Sequence, residues 1–436
     1  MDVEQRTIRK ATWRLMPLLL LFVLTCYLDR VNLAYAAPGM MKHFGFTATV
    51  YGFGAGLFFI PYTFLEIPSN IILAKVGARV WFCRIMIGWG LISGAQMFIH
   101  GEYSFYMFRV LLAAAEAGCY PGVMYFISLW FPSEYRARII GIVIIAMPLS
   151  NVVGGPLSGP LLNLNGLLGL AGWQWLFLAE AVPAVVLGLV FLAILPSGPE
   201  KAKWLDPEER AWLTGRLAAE KRAADIGHHR GIWQAMTNPM VIALGLICAC
   251  AVASNWGLSF FLPQILKGFG LNNVQTGFVA AIPFAVGAFG CYIWGKHSDY
   301  TKERPLHVAA ALVIAGGFIG LSTLFSSPLM QMIMLSIAGF GMFAYIGPFW
   351  AMSTARLSGA GAAAAAAALA AINTIASIAG FATPYAFGYI KDATKSFRGG
   401  FLMITVVSFI GVAIVLVIRH SVGVTVVAAK SGVGAD

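Results

Sequence analysis

Runs of about twenty apolar residues recur along this 436-residue chain from one end to the other. That is the length an α-helix needs to cross ~30 Å of hydrocarbon. A helix also satisfies its own backbone polar groups there, which an open segment cannot do. Measured this way, spans fall near residues 15–40, 50–73, 81–100, 103–130, 138–162 and 171–196. After a polar gap they resume near 238–266, 274–295, 306–326, 329–352, 360–390 and 398–419. The chain is 59% hydrophobic and 11% charged, against about 25% charged in soluble domains. No aqueous globule could hide that apolar surface. The expected fold class is all-α integral membrane, with twelve transmembrane helices. A signal peptide cleaved at Ala34-Tyr35-Ala36 is disfavoured, because Asp29 and Arg30 interrupt the approach and many spans follow.

The formal net charge of +11 invites a nucleic-acid reading, but its distribution argues for a membrane. With the N-terminus inside, the outward loops carry only Lys42, Lys267, Lys391, Lys395 and Arg398, while Arg30 and Arg109 fall within spans. The remaining bases lie in the inward segments, as the positive-inside rule requires. Both termini are therefore expected in the cytoplasm of a cell inner membrane crossed many times, with membrane lipid as a partner and no nucleic acid. The six cysteines sit in apolar segments without zinc or disulfide spacing and read as small buried hydrophobes. The histidines are scattered, His228 and His229 in the polar gap. With no metal cluster, nucleophile elbow or phosphate loop, neither an enzyme nor a cofactor is expected.

The polar gap, residues 197–237, divides the chain into six-helix bundles at 1–196 and 238–420. Within it "WLDPEERAWLTGRLAAEKR" predicts an amphipathic surface helix on a structured cytoplasmic linker. Asp206 can cap it, Pro207 suits its first position, and Glu208 and Glu209 complement the dipole. Residues 421–436 read as a disordered tail. The turns after spans 2 and 8, "NIILAKVGARVW" and "GKHSDYTKERP", occupy equivalent places in the two halves. Related halves of six spans are the layout of transporters built from repeats.

Four charges stand at membrane depth: Asp29 and Arg30 on span 1, Arg109 and Glu116 on span 4. Each costs ~2.5–3.5 kcal/mol on insertion scales. Arg109 and Glu116, seven apart, share roughly one helical face; Asp29 and Arg30 diverge by about 100°. A cross-helix arrangement, with both acids shared between both arginines, would neutralise all four, and the sequence leaves open which acid meets which base. Static salt bridges are one reading. The other is a binding and coupling site. With both acids ionised the cluster sums to zero, and each proton taken up adds one positive charge that favours an entering carboxylate. Linkage makes the effect reciprocal. On this reading Arg30 binds the anion through two parallel hydrogen bonds, Asp29 and Glu116 carry protons, and Arg109 holds the acids in place. The coupling ion is H+, with Na+ not excluded. The C-terminal bundle offers no acid or arginine at this depth, which places the proton chemistry in the first half.

The chain resembles a transporter of the major facilitator superfamily over essentially its whole length. The turn after span 8 matches the superfamily's loop motif through Gly295, Asp299 and Arg304; the turn after span 2 keeps Lys75, Gly77 and Arg79 but has Ala74 where most members carry Asp. Within the superfamily it is similar to the anion:cation symporter family, through "YLDRVN" (27–32), "IPSN" (67–70), "FRVLLAAAEAG" (108–118), "FPSEYRAR" (131–138), "GGPLSG" (154–159), "WQWLFLAE" (173–180) and "INTIASIAGFATPY" (372–385). The resemblance implies two six-helix bundles, a monomer, and transport of a small organic anion such as an aromatic acid, hydroxy dicarboxylate or sugar acid. It also implies that acids and arginines in these helices serve coupling and binding.

Further candidates are less specific. Tyr62 lies where relatives use a tyrosine against substrate, or it packs. Asn373 makes either an interhelical hydrogen bond or a substrate contact. Trp350 and Trp256 are candidate cavity walls in the second bundle. Glu66, Glu180, Lys75, Arg79, Asp299 and Arg304 are read as gating or structural. Gln174 stands where relatives often have Arg, so a contact on the outer side is expected to be missing. Met147 on span 5 disfavours a polyhydroxylated sugar acid. The rival functions are a proton-driven efflux antiporter for amphiphilic compounds, since "GGPLSGP" partly matches the antiporter motif, and a membrane anion sensor that moves nothing.

Overall fold

The structure is a computed structural model and describes residues 2–225, 236–357 and 362–431. Every regular element among them is helical, and eleven helices are long and apolar enough to cross a membrane. The expected span at 81–100 is also a helix, α4 below, whose hydropathy is lowered by Arg79 and Arg84.

The first half comprises α1 (Val3–Phe44), α2 (Ala48–Leu57), α3 (Phe59–Val76), α4 (Ala78–Ala95), α5 (Glu102–Glu116), α6 (Cys119–Trp130), α7 (Ser133–Ile144), α8 (Ala146–Leu162) and α9 (Gly172–Ile194), followed by the linker helix α10 (Pro207–Asp225). The second half comprises α11 (Pro239–Gly268), α12 (Asn273–Thr301), α13 (Pro305–Ser322), α14 (Pro328–Ala344), α15 (Ile346–Leu357), α16 (Ala362–Thr394) and α17 (Arg398–Ser431). The expected tail is therefore helical in its first part: α17 continues to Ser431, with no proline to stop it. Residues 432–436, like His228 and His229, lie outside the described residues.

Four of the spans are pairs of shorter helices, and a proline stands just beyond each of the four breaks. Proline has no N–H, so the carbonyl four residues earlier loses its helical partner. Pro61 releases Leu57 at the α2–α3 junction, and Pro121 releases Ala117 at α5–α6. Pro148 releases Ile144 at α7–α8, and Pro348 releases Ala344 at α14–α15. Inside a bilayer a freed carbonyl needs another donor. That of Ala117 receives the Ser69 hydroxyl at 2.6 Å.

The chain forms two compact units whose division does not follow the linker: residues 1–227 with 259–281, and 228–258 with 282–436. The stretch 259–281 joins the first unit because glycines let backbones meet. A Cβ on Gly277 would lie 2.1 Å from the Gly155 carbonyl oxygen, and one on Gly159 would lie 2.8 Å from that of Asn273. The Tyr51 hydroxyl also donates to the Phe260 carbonyl at 3.0 Å. In the second unit, Arg304 and Asp299 pair at 2.6 Å and Arg304 donates to the Ser298 hydroxyl at 3.0 Å, closing the turn after α12 on itself.

The linker helix is fastened to the first unit by its acids. Lys10 of α1 meets Asp206 at 2.8 Å and Glu209 at 2.9 Å, and Arg136 of α7 meets Glu220 at 2.8 Å. Arg216 pairs with Glu134. Trp204 stacks on Trp130 at 5.5 Å, with the Arg14 guanidinium 5.6 Å from its ring. The hydrogen bond and charge of Lys10 hold the Asp206 carboxyl below its ordinary range. A depressed carboxylate pKa contributes stability above the unfolded value, near 3.9, and the contribution is lost only as pH falls through the lower folded value. Protease protection of α10 is thus expected to stay constant from pH 8 to 5. Lys10→Gln should reduce it across that range, as digestion followed by mass spectrometry would show.

Candidate functional site

The four intramembrane charges meet inside the first unit, and each is almost wholly buried: Asp29 3%, Arg30 6%, Arg109 1% and Glu116 0% exposed. Asp29 and Arg30 turn to different neighbours, as adjacent helical positions must. Arg30 reaches α5, where Nε and Nη2 donate to the same oxygen of Glu116, Oε1, at 2.8 and 2.5 Å. The Cys26 thiol donates to that oxygen as well, at 2.7 Å. Glu116 Oε2, equally buried, has no hydrogen-bond partner. Asp29 faces α4 instead, where the Ser93 hydroxyl donates to Oδ1, and its Oδ2 is unpartnered.

Arg109 departs from the expected four-way sharing. It makes no ion pair; its Nε donates to the Gly54 carbonyl at 3.3 Å, and the buried Nη1 has no partner. The reason is the helical path. One turn of α2 presents its carbonyl to Arg109, while Glu116 is already drawn across to α1. What joins the two arginines is an aromatic ring. The Phe58 centroid lies 4.9 Å from the Arg30 guanidinium carbon and 5.0 Å from that of Arg109. Tyr27 and Tyr62 flank Arg30 at 5.0 and 4.8 Å, and Tyr62 stacks on Phe58. Aromatic faces attract cations in a desolvated site by roughly 0.5–2 kcal/mol each, so this cage offsets part of the cost of burying Arg30. Cage and cluster together hold a guanidinium between aromatic rings and a buried carboxylate.

Glu116 ends α5 at the break before α6. Gly118 there takes φ +89°, in the left-handed region, and a Cβ on it would lie 2.2 Å from Ser69 Oγ. The sequence reading treated residues 103–130 as one regular helix; the "GCYPG" run (118–122) is the signal that was available. It also missed Ser93, Phe58, Tyr27 and Cys26. Cys26 does more than fill space, since its sulfur lies 3.3 Å from that of Cys119 beside the ion pair. No group of three or more ligating residues able to hold a metal occurs among the described residues.

The other candidates fall in several places. Glu180 on α9 lies near Asp29; the Ser158 hydroxyl is 3.4 Å from its Oε1, and its Oε2 is unpartnered. Glu66 is half-buried on α3, one turn before Asn70, whose amide donates to the Glu66 carbonyl. Lys75 is exposed, whereas Arg79 donates to the Leu192 carbonyl at 2.5 Å. Gln174 has contacts after all: its amide donates to Met97 O at 2.8 Å and its carbonyl accepts from Ala171 N. In the second unit Asn373, Trp350 and Trp256 are half-buried. Asn373 O accepts from Ser377, and Trp350 meets Phe349 edge-on at 5.2 Å.

The profile of the Major Facilitator Superfamily matches residues 19–384. An Agrobacterium vitis protein carrying the name "Putative tartrate transporter" is 44% identical over 96% of this chain and 96% of its own length. A quinolone resistance transporter of Acinetobacter baumannii is 36% identical over the same shares. The crystal structure of a bacterial homolog to human lysosomal transporter Spinster aligns with a TM-score of 0.75 at 20% identity, covering 93% of this chain and 96% of that one.

The α5–α6 break gives a direct test of site architecture. Gly118→Ala adds a left-handed penalty of roughly 1–2 kcal/mol and a collision with Ser69. Its melting temperature in detergent is expected to fall, whereas Gly88→Ala, whose Cβ would meet only Ala115 at 4.0 Å, should melt like the parent.

Proposed function

Because the chain belongs to the Major Facilitator Superfamily and is thus a multi-pass membrane transporter of two six-helix bundles rather than an enzyme, we propose that it is a proton-coupled symporter. Its cargo on this reading is a small organic anion, brought in by alternating access. The observation that carries the proposal is the Arg30–Glu116 contact, in which one carboxylate oxygen occupies two N–H groups of a caged guanidinium. A substrate carboxylate needs those same donors for a two-pronged grip. It can have them only if Glu116 gives up its charge. A proton on Glu116 does that: the pair loses its Coulomb attraction, Arg30 is released, and the site gains one positive charge. The anion and the proton then favour each other by the same factor. Asp29, held by Ser93 rather than by an arginine, is a second proton carrier. Arg109 keeps the site positive without being neutralised by either acid, and Tyr62 forms one wall of the Arg30 cage.

The relative from Agrobacterium vitis supports a hydroxy dicarboxylate as cargo. The Acinetobacter relative supports the second reading, proton-driven efflux. A quinolone is itself an aromatic carboxylic acid, so the two readings share the carboxylate and differ in direction. The bases of the inward loops put both termini in the cytoplasm.

The deciding measurement is substrate-evoked current from protein in liposomes on a solid-supported membrane, without sodium. Tartrate, aromatic acids, sugar acids and short dicarboxylates are each applied at two pH values. A pH-dependent current for one class is the expected result. Silence in current and in radiolabelled uptake, with expulsion of amphiphiles from energised vesicles, would replace symport by efflux. Arg30→Lys is expected to weaken half-saturation by on the order of tenfold at every pH, because the two-pronged geometry is lost. Glu116→Gln, fixed in the neutral form, should still bind and exchange substrate while losing proton-driven accumulation. Asn at Asp29 is expected to act likewise on accumulation; normal accumulation by Asp29→Asn would remove it as a carrier.

A further inference from the structure

The end of the first unit that carries α10 is a field of bases, and several of them are spoken for. Arg6, Lys10, Arg136 and Arg216 each pair with an acid. Arg9 and Arg138 pair with none among the described residues. These two unpaired guanidinium groups line a single cavity of about 320 Å³, between the first turns of α1 and of α7.

The wall of that cavity is two helical stripes. Gln5, Arg9 and Trp13 belong to one face of α1, and Tyr135, Arg138 and Ile142 to one face of α7, with the spacings of three and four that keep residues on one side of a helix. Both helices leave the basic end in the same direction, so the cavity has two tiers. The lower tier holds Arg9, Tyr135 and Arg138. One turn further into the membrane stand Trp13, 74% exposed, and Ile142. An interfacial tryptophan over a pair of arginines is a step from polar to apolar within one turn, about 5 Å. A soluble phosphate would use the lower tier alone. A phospholipid matches both, with its phosphate on the guanidinium groups and its acyl chains past Trp13. Glu4 accepts the Tyr135 hydroxyl at 2.7 Å, and neither it nor any other acid lines the cavity.

We propose that this cavity is a binding site for the headgroup of an anionic phospholipid of the leaflet facing α10, with Arg9 and Arg138 as the phosphate ligands and Trp13 as the marker of the acyl boundary. Guanidinium groups suit a phosphate through paired N–H donors. The lipid would brace α1 against α7 at the end where α10 also clamps them. The proposal does not depend on what is transported.

The test uses full-length protein in phosphatidylcholine bilayers into which tail-brominated phosphatidylglycerol is titrated. The signal attributed to Trp13 is the quenching present in the parent and absent in Trp13→Phe. Half-quenching is expected at a much lower mole fraction of brominated phosphatidylglycerol than of brominated phosphatidylcholine. Each arginine near an anionic surface is worth about fivefold in affinity. The double variant Arg9→Gln with Arg138→Gln should therefore shift the phosphatidylglycerol midpoint by up to about 30-fold, towards the phosphatidylcholine curve. Arg14→Gln removes the same charge from the same helix outside the cavity and should leave the midpoint in place. Identical curves for the two lipids in the parent would overturn the proposal. So would a loss of about fivefold in Arg14→Gln, the full worth of one charge, which would make the preference one of general surface charge. Reversal of the quenching by millimolar glycerol phosphate would overturn the lipid and assign the cavity to a soluble phosphate.

Discussion

At membrane depth neither a guanidinium nor a carboxylate is tolerable alone, and much of the first unit is arranged around the pair that Arg30 and Glu116 make. Removing one partner of a buried pair leaves an uncompensated charge worth about 3–5 kcal/mol, so the helices that carry them are tied to each other. Yet the pair is asymmetric. One oxygen of Glu116 accepts from two nitrogens and a thiol, and the other accepts from nothing. A structural salt bridge gains most when both oxygens are satisfied. Here the leftover acceptor, with the unpartnered Oδ2 of Asp29 and Nη1 of Arg109, leaves hydrogen-bonding capacity unused.

The geometry around that pair follows from proline chemistry. Each broken span yields a freed carbonyl and a change of direction, and the break at Ala117-Gly118 falls directly behind Glu116. It ends α5 where the carboxylate is needed and lets α6 bring Cys119 back towards Cys26. The α2–α3 junction likewise places Phe58 between the two arginines. A span kept helical throughout would carry the same side chains in a different register.

At the end that carries α10 the same electrostatics act in a wetter setting. Exposed ion pairs are worth little singly, about 0–1 kcal/mol, but the linker helix makes several at once, together with a tryptophan stack. Arg9 and Arg138, which pair with no acid among the described residues, are set apart from their neighbours by the cavity they share.

The sequence by itself determined the class, the superfamily resemblance and the amphipathic linker helix, because the cost of polar groups in hydrocarbon is so large that it leaves a mark in composition and spacing. It also singled out four charges at membrane depth, since Asp29 with Arg30, Arg109 and Glu116 each interrupt an apolar run. Partner choice was decided by tertiary structure. Glu116 and Asp29 are both acids within reach of arginines in principle, but Arg30 turns from its chain neighbour towards α5 and meets Glu116, while Asp29 faces α4 and meets Ser93. Arg109 met a carbonyl and a ring rather than an acid, and Ser93, Phe58 and Cys26 had no linear signature at all. The break at Gly118 was legible in "GCYPG", but its consequence was not, because a turn out of the helix at Ala117 and Gly118 decides side-chain partners only when another helix is packed against it.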